Sequence, residues 1–317
     1  MSLGAFGSRL AAILAVAVGA MTLLFLLTLV IPGDPAVAML GPRATPEAIA
    51  EITRQMGLDQ PVPLRLWRFF ALLATGDFGR DIVSGRPIGA MILEVLPFTL
   101  ALAGSAIGLA LLLGVPAGIQ AAMHPGSRID RLLTLCSVAF VAVPNFVIAI
   151  GLLMLFSLTL RWLPVQGAGE PDDLGDQIRH LVLPTLAVGL GWIGYLARLV
   201  RAALLDTLHQ PYIRTARAFG IGEYRIVAKL ALRNAAIPTL AALGVGFGRL
   251  LGGAVFAEII FARPGLGTLI FNAIQARNYP VVQAGVFVTV LLFVAANLLV
   301  DALFLWLDPR LRTAGAA

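Results

Sequence analysis

The sequence predicts an all-α, polytopic membrane protein with six transmembrane helices, short cytoplasmic helices and a long outer loop after the first span. Three observations carry this. Of the 317 residues, 59% are hydrophobic and 13% charged, more apolar surface than a soluble domain can hide. Apolar runs close to the ~20 residues needed to cross a bilayer recur six times. Between the fourth and fifth lies a polar interruption, Ala197 to Pro238, which holds Arg198, Arg201, Arg214, Arg217, Arg225, Lys229 and Arg233 against only Asp206 and Glu223. The net charge of +6 would suggest nucleic acid in a soluble protein. Here an excess of Arg and Lys on the cytoplasmic side accounts for it, so lipid is expected as a partner and nucleic acid is not.

The first run, residues 10–31, exceeds the ~7–15 apolar residues of a signal peptide, and Pro32-Gly33-Asp34 makes a poor cleavage site; it reads as a retained span. The second covers 98–123 with a kink expected at Pro116, and the third 132–160 with a kink near Pro144. The fourth, 181–197, is the shortest and contains Pro184. The fifth, 236–260, has Arg249 near its middle and Glu258 at its outer edge; the sixth is 281–300. The chain then divides into 1–31 (tail and first span), 32–97 (extracytoplasmic loop), 98–309 (a five-span core including the 198–236 loop) and 310–317 (tail).

Loop charge sets the orientation. The N-terminus, the 124–131 turn, the 198–236 loop and the tail hold Arg9, Arg128, Arg131, the seven basic residues above, Arg310 and Arg312. The short loops opposite hold Arg161, Arg179, Arg263 and Arg277, alongside Glu170, Asp172, Asp173 and Asp176. Both termini and the 198–236 loop are therefore expected in the cytoplasm, and 32–97 outside. In that outer loop, Thr45-Pro46-Glu47 reads as an N-cap, a proline opening a helix and an acid in its first turn. Ile49, Ile52 and Met56 follow at helical spacing up to Gly57. Leu66, Trp67, Phe69, Phe70, Leu72 and Leu73 suggest a second amphipathic helix, ended by Gly76-Asp77-Phe78-Gly79.

Several chemistries find no support. There is no GxxxxGK[ST], HExxH, CxxC or GxSxG motif, and Lys229 is the only lysine. No nucleotide-binding loop, metal site or enzyme activity is expected in this chain. His124, His180 and His209 fall at different membrane ends, where capping is the ordinary role. Lone Cys136 reads as a small core hydrophobe.

The interruption reads as two short helices around a glycine elbow. Pro211 restarts a helix that runs to Phe219, Gly220 and Gly222 interrupt it, and 223–234 form the second. Such a knob can enter a groove on a partner. Ile213, Ala216, Phe219, Ile221 and Ile226 are the apolar groups a partner would bury.

The stretch YIRTARAFGIGEYRIVAKLALRNAAIP resembles the EAA loop of inner-membrane permease subunits of ATP-binding cassette importers. In particular it is similar to the first permease subunit of the dipeptide/oligopeptide/nickel permease family. The resemblance covers nearly the whole chain: IPGDPA (31–36), GLDQPVPLRLWRF (57–69), GDFGR (76–80), LPVQGAG (163–169), LLGGAVFAEIIFARPGLG (250–267), ARNYPVVQ (276–283) and LDPRLR (307–312) stand in the family's order. It implies a six-span permease half that pairs with a homologous second permease, two cytoplasmic ATPases and an extracytoplasmic substrate-binding protein. ATP and magnesium would act on the ATPases. The residues implied to sit in the ATPase groove are Arg214, Thr215, Ala216, Arg217, Ala218, Phe219, Gly220, Ile221, Gly222, Glu223 and Arg225. ATP-driven closure would push them and switch the cavity between inward- and outward-open states. The chain departs from the pattern at Arg214 (Glu in the general loop), Phe219 (commonly Lys) and Asn278 (frequently Asp).

Three features bear on the translocation path. A charge at Arg249, within a span, is costly in lipid and should face a cavity or a partner. It lines the path and attracts a carboxylate, pairs with an acid of the second permease, or snorkels from a tilted helix. Asn145 and Asn297 are path candidates, each equally readable as an interhelical hydrogen bond. Gly244, Gly248 and Gly252 repeat at a spacing that lets backbones approach, within the chain or between subunits. The cargo expected is a small peptide, with a nickel-chelate, an opine or glutathione as alternatives. A secondary transporter would call for acids deep in the spans or an inverted repeat, and neither is evident. An exporter is disfavoured by the outer loop.

Overall fold

The computed structural model describes residues 3–30, 37, 45–55, 57–81 and 84–307. Helices and turns make up these residues, and the one β-bridge among them joins Arg80 and Pro87. The helices are α1 (Leu3–Val30), α2 (Pro46–Gln55), α3 (Val62–Thr75), α4 (Ile88–Leu109), α5 (Val115–Met123), α6 (Arg128–Ala142), α7 (Asn145–Leu152), α8 (Leu174–Leu208), α9 (Pro211–Ala218), α10 (Leu232–Ile260), α11 (Leu266–Gln275) and α12 (Tyr279–Leu307). π-helical stretches at Ala110–Gly114, Leu153–Thr159 and Ile226–Ala231 continue α4, continue α7 and lead into α10. Met56, the IPGDPA motif (31–36) and 308–312 of the tail motif, with Arg310 and Arg312, lie outside the described residues.

Among the described residues, four stretches are long and apolar enough to cross a membrane: Ile88–Met123, Leu174–Leu208, Glu223–Gly244 and Tyr279–Val300. A fifth is counted if Arg128–Ala142 and Asn145–Thr159, bent by 100°, form one span. α1 adds a shorter apolar stretch, Ala15–Val30. The bend falls where Pro144 forces Val143 out of the helical region (ψ 125). The fourth apolar run, 181–197, lies within a 35-residue helix that continues past it at both ends. Asp173 caps its start by accepting from Gly175 and Asp176 N–H, and α8 runs on past Arg198 and Arg201 to Leu208.

The chain falls into two compact units. The first comprises Met1–Thr99 and Pro264–Val294. Its outer-loop helices begin and end as their sequences dictate. Ala48 N–H donates to Thr45 Oγ1 (3.3 Å) at the start of α2, and α3 stops at Gly76, whose φ of 70° suits glycine. Met21, Phe25 and Phe69 are buried together with Val286, Phe287 and Val290 packed on them. Ile88 and Ile92 form a second cluster with Leu266, Ala273, Val281 and Val282.

The second unit comprises Leu100–Arg263 and Ala295–Ala317. α8 is its axis, and glycines set its close contacts. A Cβ on Gly118 would lie 2.6 Å from the Ala197 carbonyl oxygen, and one on Gly194 2.7 Å from that of Ser137. Backbone cannot swing aside as a side chain can, so Gly118→Ala and Gly194→Ala should each destabilise by about 1–3 kcal/mol. The midpoint of unfolding in lipid–detergent micelles reads this. Gly108→Ala, with nothing within 4 Å of the new methyl, should leave it unchanged or raise it.

Candidate functional site

The polar interruption folds as a braced elbow. Pro211 opens α9 after Gln210, and the helix closes at Gly220, whose φ is +75°. Gly220 N–H donates to Arg217 O (2.9 Å) and Ile221 N–H to Ala216 O (3.2 Å), the paired bonds of a Schellman cap. Gly222, in extended conformation, starts the next turn, Glu223–Arg225. Arg217 reaches over the elbow to Glu223, Nη2 to Oε1 at 2.7 Å and Nε to Oε1 at 3.1 Å. That hydrogen bond raises the Arg217 pKa above its ordinary value, against a smaller opposing effect of desolvation. Asn234 Nδ2 donates to the Tyr212 hydroxyl (2.7 Å), tying α9 to the start of α10.

The inner side of the elbow is bolted to its own chain. Ile213, Ala216 and Ile226 are buried with Leu204, Val227 and Ala122. This corrects the sequence reading for these three: they hold the elbow in place and are not available to a partner, because α9 and the π-stretch turn them onto α8. What remains outward are Phe219 and Tyr224, 81% and 80% exposed, with Ile221 beside them. Arg214, Thr215, Arg217, Ala218, Gly220, Gly222, Glu223 and Arg225 are exposed too. Sequence reasoning misses Tyr224. Its signal is its place two residues after Gly222, outside the apolar spacing that buries Ile226.

Arg201 reads as one more cation of the basic run but braces the core. Its Nε and Nη2 donate to Asp130 Oδ1 (2.6 Å) and Oδ2 (2.8 Å), and Asp130 also accepts from Gly126 N–H (2.9 Å). A bidentate pair of this geometry fixes the α6 start against α8.

On α10, Arg249, Gly252 and Phe256 lie on one exposed face, at the i, i+3, i+7 spacing of a helix. Arg249 makes no hydrogen bond or ion pair among the described residues. Gly244 is buried, and a Cβ added there would meet Val300 Cγ1 at 3.1 Å; Gly252 has open space, and Gly248 is half-buried. The three glycines therefore do not share one contact. Asn145 is wedged inside the unit: its Nδ2 would sit 2.4 Å from a Cβ on Gly253 and its Oδ1 3.5 Å from one on Gly191. Asn297 is half-buried on α12 and is already engaged. Asn278, where the resemblance calls for Asp, donates through Nδ2 to the buried Asp81 carboxylate. An Asp there would set two carboxylates against each other, so the amide fits this chain.

Comparison with known proteins shows the family. Residues 114–313 match the family "Binding-protein-dependent transport system inner membrane component", and residues 7–103 match its N-terminal companion. The glutathione transport system permease protein GsiC of Salmonella paratyphi A is 39% identical over 290 residues, 92% of each chain. The probable D,D-dipeptide transport system permease protein DdpB of Escherichia coli K12 is 36% identical over 324 residues, 95% of each chain. Among solved structures, an inward-facing MetNI methionine ABC transporter chain overlays 70% of this chain and 98% of its own, with a TM-score of 0.59 at 18% identity. That overlay speaks for the helical fold. The chain belongs to the family of inner-membrane components of binding-protein-dependent transport systems.

Proposed function

We propose that this chain is one of two permease subunits of an importer of small peptides, driven by separate ATPases that dock on the Pro211–Arg225 elbow. The observation that carries the coupling role is the contrast within the elbow. Its inner face is locked by Ile213, Ala216 and Ile226 and the exposed Arg217–Glu223 pair bridges the turn, while Phe219 and Tyr224 stand out. A rigid mount with two bare aromatic rings suits a partner's apolar groove and can pass a push into α8 and α10. ATP and magnesium would be held by the ATPases, a binding protein would deliver cargo from outside, and both termini and the elbow would face the cytoplasm. The names of the relatives above support a peptide-like cargo, and glutathione, itself a tripeptide, is the second reading.

Proteoliposomes holding both permeases and the ATPases, with binding protein supplied, test this. ATP-dependent uptake of a labelled dipeptide that survives an uncoupler is expected. Uptake that collapses with the proton gradient and ignores ATP would mean a secondary transporter instead. On the α10 face, Arg249 supplies an exposed positive charge for a cargo carboxylate. Arg249→Ala should lower uptake by about tenfold or more, as loss of one charge-assisted hydrogen bond predicts, with the complex still intact. Unchanged uptake would remove Arg249 from the path.

A further inference from the structure

The first unit holds a half-open cavity of about 610 Å³ that neither the elbow nor the α10 face uses. Small-molecule sites run roughly 300–1,000 Å³. α3 lends it Arg65 and Arg68, three residues apart and so on one face of the helix; the turn after α3 lends Arg80, and Tyr279 opens α12. Two of the guanidinium groups are held in place. Arg65 sits over the Phe25 ring (5.9 Å to the centroid), and Arg80 Nη1 donates to Gly85 O (3.1 Å). Arg68 and Gln60 converge: a Cβ on Gly57 would meet Arg68 Nη1 at 3.7 Å and Gln60 Oε1 at 3.8 Å.

Among the described residues Asp81 is the one acid of the lining, and it is turned to its own neighbours, accepting from Ser84 N–H (2.8 Å) and Asn278 Nδ2. Three cations therefore face one engaged carboxylate. Gln60 Oε1 and Tyr279 Oη are both buried and have no hydrogen-bond partner among the described residues. Buried polar atoms are ordinarily satisfied. Here an acceptor and a hydroxyl donor on lining residues of a cationic cavity are left unsatisfied. That set fits a ligand with a carboxylate at one end and an N–H donor nearby.

We propose that this cavity binds a small peptide through its terminal carboxylate, with Arg65, Arg68 and the Tyr279 hydroxyl donating to the carboxylate and Gln60 Oε1 accepting from a peptide N–H. The choice of a peptide rests on the importer reading; the oxyanion chemistry does not. Arg249 is not among the residues that line this cavity.

Saturation-transfer NMR tests it on the whole permease–ATPase complex in phosphatidylcholine nanodiscs, without binding protein or nucleotide. The probes are trialanine and trialanine amide. Wild type should prefer the free acid by about tenfold or more. Arg65→Gln/Arg68→Gln should abolish the preference, and Tyr279→Phe should weaken it a few-fold. The acid/amide comparison on unmutated protein needs no variant to fold. Equal binding of acid and amide overturns the proposal, as does a preference that survives the double Arg variant. Nanodiscs containing phosphatidylglycerol are the further arm. If that lipid raises the melting temperature through Arg65 and Arg68 while trialanine does not bind, the cavity is a lipid-phosphate site and the peptide assignment falls. ATPase stimulation by the binding protein, read on the same wild-type sample, tests the importer reading on its own. Its absence would sink that reading without touching the acid/amide result.

Discussion

Gly220→Pro should abolish ATP-coupled uptake and reduce recovery of the ATPase with the purified permease more than tenfold, while Gly220→Asn stays near wild type. The contrast follows from the backbone. Gly220 has φ +75° and donates to Arg217 O (2.9 Å). Proline holds φ near −65° and has no N–H, so it removes both the turn and the bond. Asparagine tolerates the left-handed region, and nothing lies within 4 Å of a Cβ at this position. The charge pair offers an independent route to the same element. Arg217→Glu would set two carboxylates side by side across the elbow, and Glu223→Arg alone would set two guanidiniums. The exchanged double variant should recover most of the coupling if the bridge holds the elbow. A surface bridge by itself contributes at most ~1 kcal/mol, so the pair should matter to coupling far more than to melting temperature. Wild-type uptake by Gly220→Pro, with normal membrane insertion, would show that the elbow is a passive connector.

Much of the fold is legible in the sequence because lipid imposes a simple code. Long apolar runs have to be helices, and Pro46, Gly76 and Pro211 mark element ends through purely local rules. The elbow is legible for the same reason: its cap needs only Gly220 and the residues just before it. What escapes are relations between distant residues. Arg201 reads as one cation in a basic run, yet its partner is Asp130, 71 positions away. Spacing singles out Gly244, Gly248 and Gly252 as the small residues that set helix approach, whereas Gly118 and Gly194 make close helix-to-helix backbone approaches to and from α8. A Gly-xxx-Gly spacing is present at Gly114 and Gly118, but Pro116 between them points to a kink instead. Which face of a helix is inward depends on its neighbours. For that reason spacing alone does not separate Ile213 and Ala216 of the eight-residue α9, or Ile226 beyond the elbow, from Phe219 at the cap of α9.

Glu258 shows most sharply what spacing alone misses, and it yields the second large effect. It stands at the edge of the predicted fifth span, nine residues from Arg249, and spacing offers it no obvious partner. In the structure it is wholly buried, and Arg263, only 3% exposed, interacts with its charge. Burial pushes the Arg263 guanidinium pKa down, and the Glu258 charge pushes it back up. The chain makes this pairing by turning sharply just past α10. Ala262 takes φ +43°, Arg263 N–H donates to Glu258 O (2.8 Å), and Gly167 N–H donates to Phe261 O (2.9 Å). Removing one member leaves the other buried and uncompensated, which costs about 3–5 kcal/mol; replacing both with apolar or neutral groups of similar size is close to neutral. Arg263→Met should therefore strongly lower the melting temperature of the purified permease, and Glu258→Gln should do so almost as much. The double variant should regain most of the loss. Additive single effects in that cycle would show that the two residues act through other neighbours. Strong coupling would make the carboxylate at the end of α10 the anchor of the turn that follows it, where no inspection of the span as a lipid-facing helix would have placed one.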